Sequence, residues 1–313
     1  MSDPKAIDAA SQERKGLIWL ASYPKSGNTW SRSFIHNLLA IMRGEDHEAW
    51  DINSLDEFST SAQGAKRYER HAGKNWQDIP VEEIARLRLV VQEEALAEAD
   101  GLIFIKTHNA LMSDHGYPTV NFAITTGAVY IVRNPLDVAI SYAHHLGKSV
   151  DETIEIMGSS SYETMGSEKQ IREVMGSWSE HVESWSARRH RAIHVMRYED
   201  MLDSPSAAFG ALARFLLLAP TSDQLQTAIG RSSFEALRQQ EEKHGFREKP
   251  ERAERFFRAG TSGQWKEQLS RSQIKRILRG HGRVMARFGY LPPGDEHYAG
   301  ASAAHLVQRG SLA

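Results

Sequence analysis

The segment from Gly16 to Trp30, GLIWLASYPKSGNTW, limits what this chain can fold into more than any other stretch. Gly16 to Tyr23 is a short, nearly continuous apolar run that stops at Pro24, which suits a strand buried on both faces, as in a parallel sheet. From Thr29 to Met42, Trp30, Phe34, Leu38 and Ile41 recur at helical spacing. Strand, short turn, helix is how a nucleotide-binding βαβ unit begins. The turn itself carries anion-binding chemistry. Amide N–H groups at a helix N-terminus point outward with partial positive charge, and Gly27 lets the backbone come close to an anion. Lys25 adds a full charge, and Ser26, Asn28 and Thr29 offer side-chain donors. The lysine precedes the glycine, so this is a phosphate loop but not a Walker A loop, which needs Gly-Lys-Ser/Thr after four spacers.

The rest of the chain repeats the alternation. Gly101 to Thr107, Ala128 to Val132 and Ile193 to Arg197 read as further buried strands. Helices are expected at Val81–Ala99, after Asn134 with Pro135 at the first position, at Gln170–Arg189, near Ser206–Leu217, Asp223–Ile229 and Phe234–Glu242, and at Lys266–Phe288. Glu45–Gln77 is polar and irregular, and Val150–Lys169 and Gly245–Gly263 are Gly-rich and read as loops or lids. The fold expected is α/β: a three-layer α/β/α sandwich on a central, mostly parallel sheet with a P-loop-like phosphate-binding loop. Residues 16–291 form one domain in this reading, with lid segments near 45–99, 150–169 and 239–263, and residues 1–15 and 292–313 are flexible tails. The 313 residues carry a net charge of −2, so no global basic excess argues for a nucleic-acid partner and any anion site is local. With no cysteine, disulfides, thiolate catalysis and zinc–thiolate sites are excluded. The N-terminus lacks a signal-like apolar run, and no apolar stretch is long enough to span a membrane. A cytoplasmic protein without membrane contact is expected.

The loop SYPKSGNTW closely resembles the 5′-phosphosulfate-binding loop of sulfotransferases that use 3′-phosphoadenosine 5′-phosphosulfate (PAPS), whose usual form is TYPKSGTTW; Asn28 stands where that family has threonine. Four further segments resemble the family's in the same order. YIVRNPLDVAIS holds Arg133 and, eight residues on, Ser141. Lys106-Thr107-His108 matches the context of the family's catalytic histidine, and alternation along a strand sends Lys106 and His108 the same way. Arg197-Tyr198-Glu199-Asp200-Met201 matches a segment whose tyrosine lies near adenine, and FFRAGTSGQWK matches at Arg258, Gly260, Gly263, Trp265 and Lys266, with Ala259 in place of a lysine. Ser232-Ser233-Phe234 resembles the adenine segment Thr-Ser-Phe.

The resemblance implies sulfuryl transfer from PAPS to a hydroxyl or amine of a small-molecule acceptor, leaving 3′,5′-adenosine bisphosphate (PAP). It gives Lys25 the charge on the bridging oxygen, His108 the acceptor's proton, and Lys106 and Ser141 the orientation of the donor. The phosphosulfate would lie on Lys25, Ser26, Gly27, Asn28 and Thr29, and adenine by Trp30, Tyr198, Ser232 and Phe234. The 3′-phosphate would lie on Arg133, Ser141, Arg258, Ala259 and Gly260. No metal is implied. His144 and His145, as neighbours on one helix, point apart and make no joint metal site. Two rival readings share the fold. A nucleotide kinase-like phosphotransferase would need ATP, Mg²⁺ and a Gly-Lys-Ser/Thr loop, and a non-catalytic nucleotide-binding protein would leave His108 dispensable. Aromatic and methionine residues of the lid segments, Trp50, Phe58, Tyr68, Trp76, Met157, Tyr162, Met165, Phe246 and Phe256, suit an aromatic or apolar acceptor, or equally pack the lids on the core. Phenols, steroids, sugars and amines all stay open, as does the oligomeric state.

Overall fold

The structure is a computed structural model that describes residues 15–45, 51–249 and 255–300. Trp50, most of the N-terminal tail and residues 301–313 lie outside them.

Strand β1 (Gly16–Ser22) is buried at every residue and sits in the middle of a five-stranded sheet. With β2 (Ser59–Ser61), β3 (Leu102–Thr107), β4 (Thr125–Val132) and β5 (Ile193–Arg197), the spatial order is β2-β3-β1-β4-β5, and every pairing is parallel. Alternation decides which layer each side chain joins. Leu17, Trp19 and Ala21 of β1 and Ala128, Tyr130 and Val132 of β4 point into one core. Leu20 of β1 and Val129 and Ile131 of β4 point into the other. The first core is covered by α3 (Pro135–Leu146), α4 (Val150–Gly158), α5 (Trp178–Ser186) and α9 (Arg271–Arg287). The second is covered by α1 (Asn28–Met42), α6 (Pro205–Phe215) and α7 (Ser222–Arg231). The charged helix α2 (Val81–Ala97) buries Ile84, Leu87 and Val91 with Tyr68 and Trp76 in a satellite cluster, and α8 (Phe234–His244) closes another with Phe246 and Phe257. The result is the three-layer α/β/α architecture expected, with the loop after β1 at the C-terminal edge of the sheet, where open parallel sheets place their ligands.

Local differences from the sequence reading have identifiable causes. Gln170–Arg189 does not form one helix. Residues 170–177 form no helix, with Ile171 N–H on the Gln63 carbonyl and Val174 C=O accepting from Ala110, and the helix waits for a capping box at Ser177 and Glu180. Val150–Gly158 is a helix and not a loop, because Ser149 and Glu152 form the same box and Ile154 and Met157 are buried against the core. The irregular stretch 45–77 contains the edge strand β2 and a helix at Ala65–Ala72. The helix expected over Lys266–Phe288 breaks at Ser270, which caps Gln273 and starts α9. Beyond Pro292 the chain packs as far as Gly300, with Tyr298 so close to Gly282 that a Cβ there would lie 2.6 Å from its carbonyl oxygen.

Leu20 is fully buried at the centre of the second core. Leu20→Ala is expected to lower stability by about 2–5 kcal/mol in urea unfolding, with an unchanged denaturant slope; a loss below about 1 kcal/mol would contradict this assignment of the core.

Candidate active site

Pro24 and Lys25 turn the chain sharply at the end of β1, with Lys25 at φ 66° and Gly27 at φ 104°. Gly27 is required twice over. Its φ is left-handed, and a Cβ would sit 2.8 Å from the Tyr198 ring. It is the N-cap of α1 but caps nothing with a side chain. The buried Ser26 hydroxyl has no protein partner, so Ser26 and the first-turn amides are donors suited to an external anion. Asn28 turns its amide back on β1, donating to Leu20 C=O at 2.9 Å and to Ser22 Oγ at 3.4 Å, and so ties the loop to the strand. Thr29 is buried, its carbonyl accepting from Ser33 Oγ at 2.9 Å.

The other sequence-predicted residues gather around this loop from distant parts of the chain. Arg133 leaves β4 and donates from Nη1 to Lys25 C=O at 2.8 Å and from Nη2 to Thr261 C=O at 3.0 Å. Its guanidinium lies 4.1 Å over the Tyr198 ring. Tyr198 meets Trp30 edge-on at 5.7 Å, and Trp30 meets Phe209 likewise. Gly260, at φ 62°, lies against Phe234 so closely that a Cβ would fall 2.2 Å from the ring. Ser232 is buried and spends its hydroxyl on Ala228 C=O at 2.7 Å. Arg258 is exposed and donates to Gln264 Oε1 at 3.0 Å, and Ala259 is half-buried. Ser141 stands half-buried on α3.

The catalytic candidates stand at the ends of β1 and β3. The Lys25 ammonium lies 4.2 Å over the Phe256 ring. Burial, with Arg133 and Lys106 nearby, pushes its pKa down to about 8. His108 Nδ1 lies 2.7 Å from the Ser22 carbonyl oxygen. A carbonyl only accepts, so Nδ1 carries the proton and the Nε2 lone pair is left for an acceptor. Burial, reinforced by Lys106, pushes the His108 pKa down to about 3, so the ring is neutral at neutral pH. Lys106 Nζ pairs with Glu248 at 2.7 Å, and the other oxygen of Glu248 meets buried Arg32 at 2.5 Å. Burial pushes the Glu248 carboxyl up, but Lys106 and Arg32 together hold it well below the usual range.

Several of these neighbours carry no sequence signal. Glu248 lies 142 residues from Lys106 in a charged loop without a motif. His145, set aside above as half of an unworkable metal pair, stacks on Tyr142 at 6.0 Å, one helical turn beyond Ser141. Burial, then the charges of Lys25 and Lys106, push its pKa down to about 4, which makes it a neighbour of the site. Its helical offset of four from Ser141 was the available signal.

An uncapped loop–helix junction, a cluster of cations and a neutral histidine thus meet at one sheet edge, an arrangement suited to an anionic nucleotide. A family model for the sulfotransferase domain matches residues 15–289, and the chain belongs to that family. Its donor, PAPS, is the one expected from the sequence. The chain is 23% identical over 282 residues to sulfotransferase 6B1 of Danio rerio, covering 88% of this chain and 81% of the relative. It is 28% identical over 184 residues to a 3-alpha-hydroxysteroid sulfotransferase of Cavia porcellus, covering 57% and 62%. Among solved structures, a retinol dehydratase in complex with androsterone and the inactive cofactor PAP superposes with a TM-score of 0.63 at 20% identity, over 93% of this chain and 88% of that one. Mouse sulfotransferase SULT7A1 complexed with PAP gives 0.59 at 18%, over 90% and 92%. Among the described residues, no helix is long and apolar enough to cross a membrane.

Lys25 is charged below its pKa of about 8 and loses that charge above it. Nucleotide phosphates, with a second pKa near ~6, are already fully ionised there. Calorimetry should therefore show PAP affinity nearly constant up to about pH 7, beginning to fall as the pH passes through the Lys25 pKa of about 8, and dropping by up to about tenfold per pH unit above it. In Lys25→Arg the fall should disappear. An unchanged fall in that variant would assign it to another group.

Proposed function

We propose that this protein transfers the sulfuryl group of PAPS to a hydroxyl or amine of a small aromatic or apolar acceptor, with His108 as general base. The observation that carries this reading is the 2.7 Å contact of His108 Nδ1 with the Ser22 carbonyl, which leaves Nε2 free to accept a proton beside Lys106. The residues fit the donor. The unpartnered Ser26 hydroxyl, the uncapped first turn of α1 and the Lys25 ammonium suit the phosphosulfate. Arg133, Ser141, Arg258 and the backbone of Ala259 and Gly260 would hold the 3′-phosphate, with Trp30, Tyr198, Ser232 and Phe234 around adenine.

Bound there, PAPS supplies the group that moves. Lys25 holds positive charge where the bridging oxygen becomes negative, in a desolvated setting that strengthens the interaction. His108 Nε2 takes the acceptor's proton as the new bond forms. Lys106 neutralises the donor's negative charge once Glu248 yields part of its hold. Half-buried Phe256, and half-buried Tyr162 whose hydroxyl lies 2.9 Å from that of buried Tyr142, supply aromatic surface for the acceptor. The described parts of the lid segment, 239–249 and 255–263, act as the lid, since Glu248, Phe256 and Thr261 reach Lys106, Lys25 and Arg133 from them.

Titration with PAP, AMP and ATP in the absence of metal tests the donor. PAP should bind best, and preference for ATP would return the kinase-like reading. His108→Ala and Lys25→Ala should each cut PAPS-dependent turnover by roughly 10²–10⁴-fold. Undiminished PAPS-dependent turnover in His108→Ala would overturn its role as general base, and PAP binding without any turnover in the wild type would return the non-catalytic reading.

A further inference from the structure

The sheet cannot position His108. The β3 ladder ends at Thr107, so the amide and carbonyl of the next residue have no strand partner. Two side chains, half-buried Glu173 and fully buried His181, take them instead. Glu173 Oε1 accepts from the His108 N–H at 2.7 Å, and His181 Nε2 lies 2.9 Å from the His108 carbonyl oxygen. Because a carbonyl only accepts, His181 carries its proton on Nε2, and its Nδ1 accepts from the Tyr130 hydroxyl at 2.9 Å. His181 is fully buried, and both ring nitrogens are used. The next peptide is held as well: Trp185 Nε1 donates to Asn109 C=O at 3.0 Å, and Asn109 Oδ1 accepts from Val174 N–H at 2.7 Å. Glu173 reaches this place from the non-helical stretch 170–177.

We propose that Glu173 and His181 are positioning residues for the general base: they clamp the two peptide planes of His108 so that Nδ1 stays on the Ser22 carbonyl and Nε2 stays unprotonated and aimed at the acceptor. The proposal rests on the reading of His108 as the base. The clamp has a chemical consequence beyond packing. If the His108 main chain rotates, the 2.7 Å contact to Ser22 is lost, both tautomers become populated, and a fraction of the rings carries its proton on the nitrogen that must receive one.

The test is ¹⁵N NMR of the His108 imidazole, with turnover of PAPS and 4-nitrophenol alongside. The wild-type ring should be a single Nδ1-protonated tautomer. In Glu173→Ala and His181→Phe the signal should become a tautomer mixture, and kcat should fall roughly 10- to 100-fold while PAP affinity stays within about twofold. Glu173→Gln keeps an oxygen acceptor for the amide and should recover most of the loss. If Glu173→Ala does not fold, Glu173→Met keeps the aliphatic stem in its slot and carries the same comparison. A wild-type His108 spectrum in the Ala or Met variant, or an Nε2-protonated ring in the wild type, overturns the proposal. Full turnover in His108→Gln would instead remove the base reading and leave the tautomer result intact, so the two failures are distinguishable.

Discussion

The site depends on concentrating positive charge where water is scarce. Lys25, Lys106, Arg133 and Arg32 converge at the C-terminal edge of the sheet, and burial and mutual repulsion there push the Lys25 ammonium toward its neutral form. An arrangement of this kind is stable only where anions or carbonyl dipoles offset it. Glu248 bridges two of the cations, and the carbonyls of Lys25 and Thr261 occupy a third. The same contacts attach the 255–263 segment and the Glu248 loop to the sheet, so the residues that neutralise the site also cover it.

Neutrality of His108 follows from the same field. A ring that must accept a proton has to start without one, and desolvation next to Lys106 ensures this well below neutral pH. Neutrality alone does not say which nitrogen is bare. That is set by the Ser22 carbonyl, at the end of the strand that also leads into the phosphate loop. One strand end therefore orients the proposed base and leads into the proposed phosphate loop, which keeps the two in fixed relation.

Much of this was legible in the sequence. The unbroken apolar run of β1 announced a strand buried on both faces, and its odd and even residues do fill separate cores. Lys25, Gly27, His108, Arg133 and Tyr198 were legible because each lies in a short local pattern tied to a strand end. Glu248, Glu173 and His181 were not, because their roles arise from contacts 65 to 216 residues away in sequence. The helix read across residues 170–189 missed the Ser177–Glu180 capping box, and that error hid Glu173, whose carboxyl reaches His108 from the non-helical stretch before the box. Gly and Ser content misled at Val150–Gly158, where buried Ile154 and Met157 decide for a helix.

A crystal structure of the protein with PAP tests the account most directly. The account predicts the 5′-phosphate within hydrogen-bonding distance of the Lys25 ammonium, the Ser26 hydroxyl and the first-turn amides of α1, with the 3′-phosphate on the side of Arg133 and Gly260. A nucleotide bound away from that loop, or one whose 5′-phosphate makes no contact with Lys25, would contradict it.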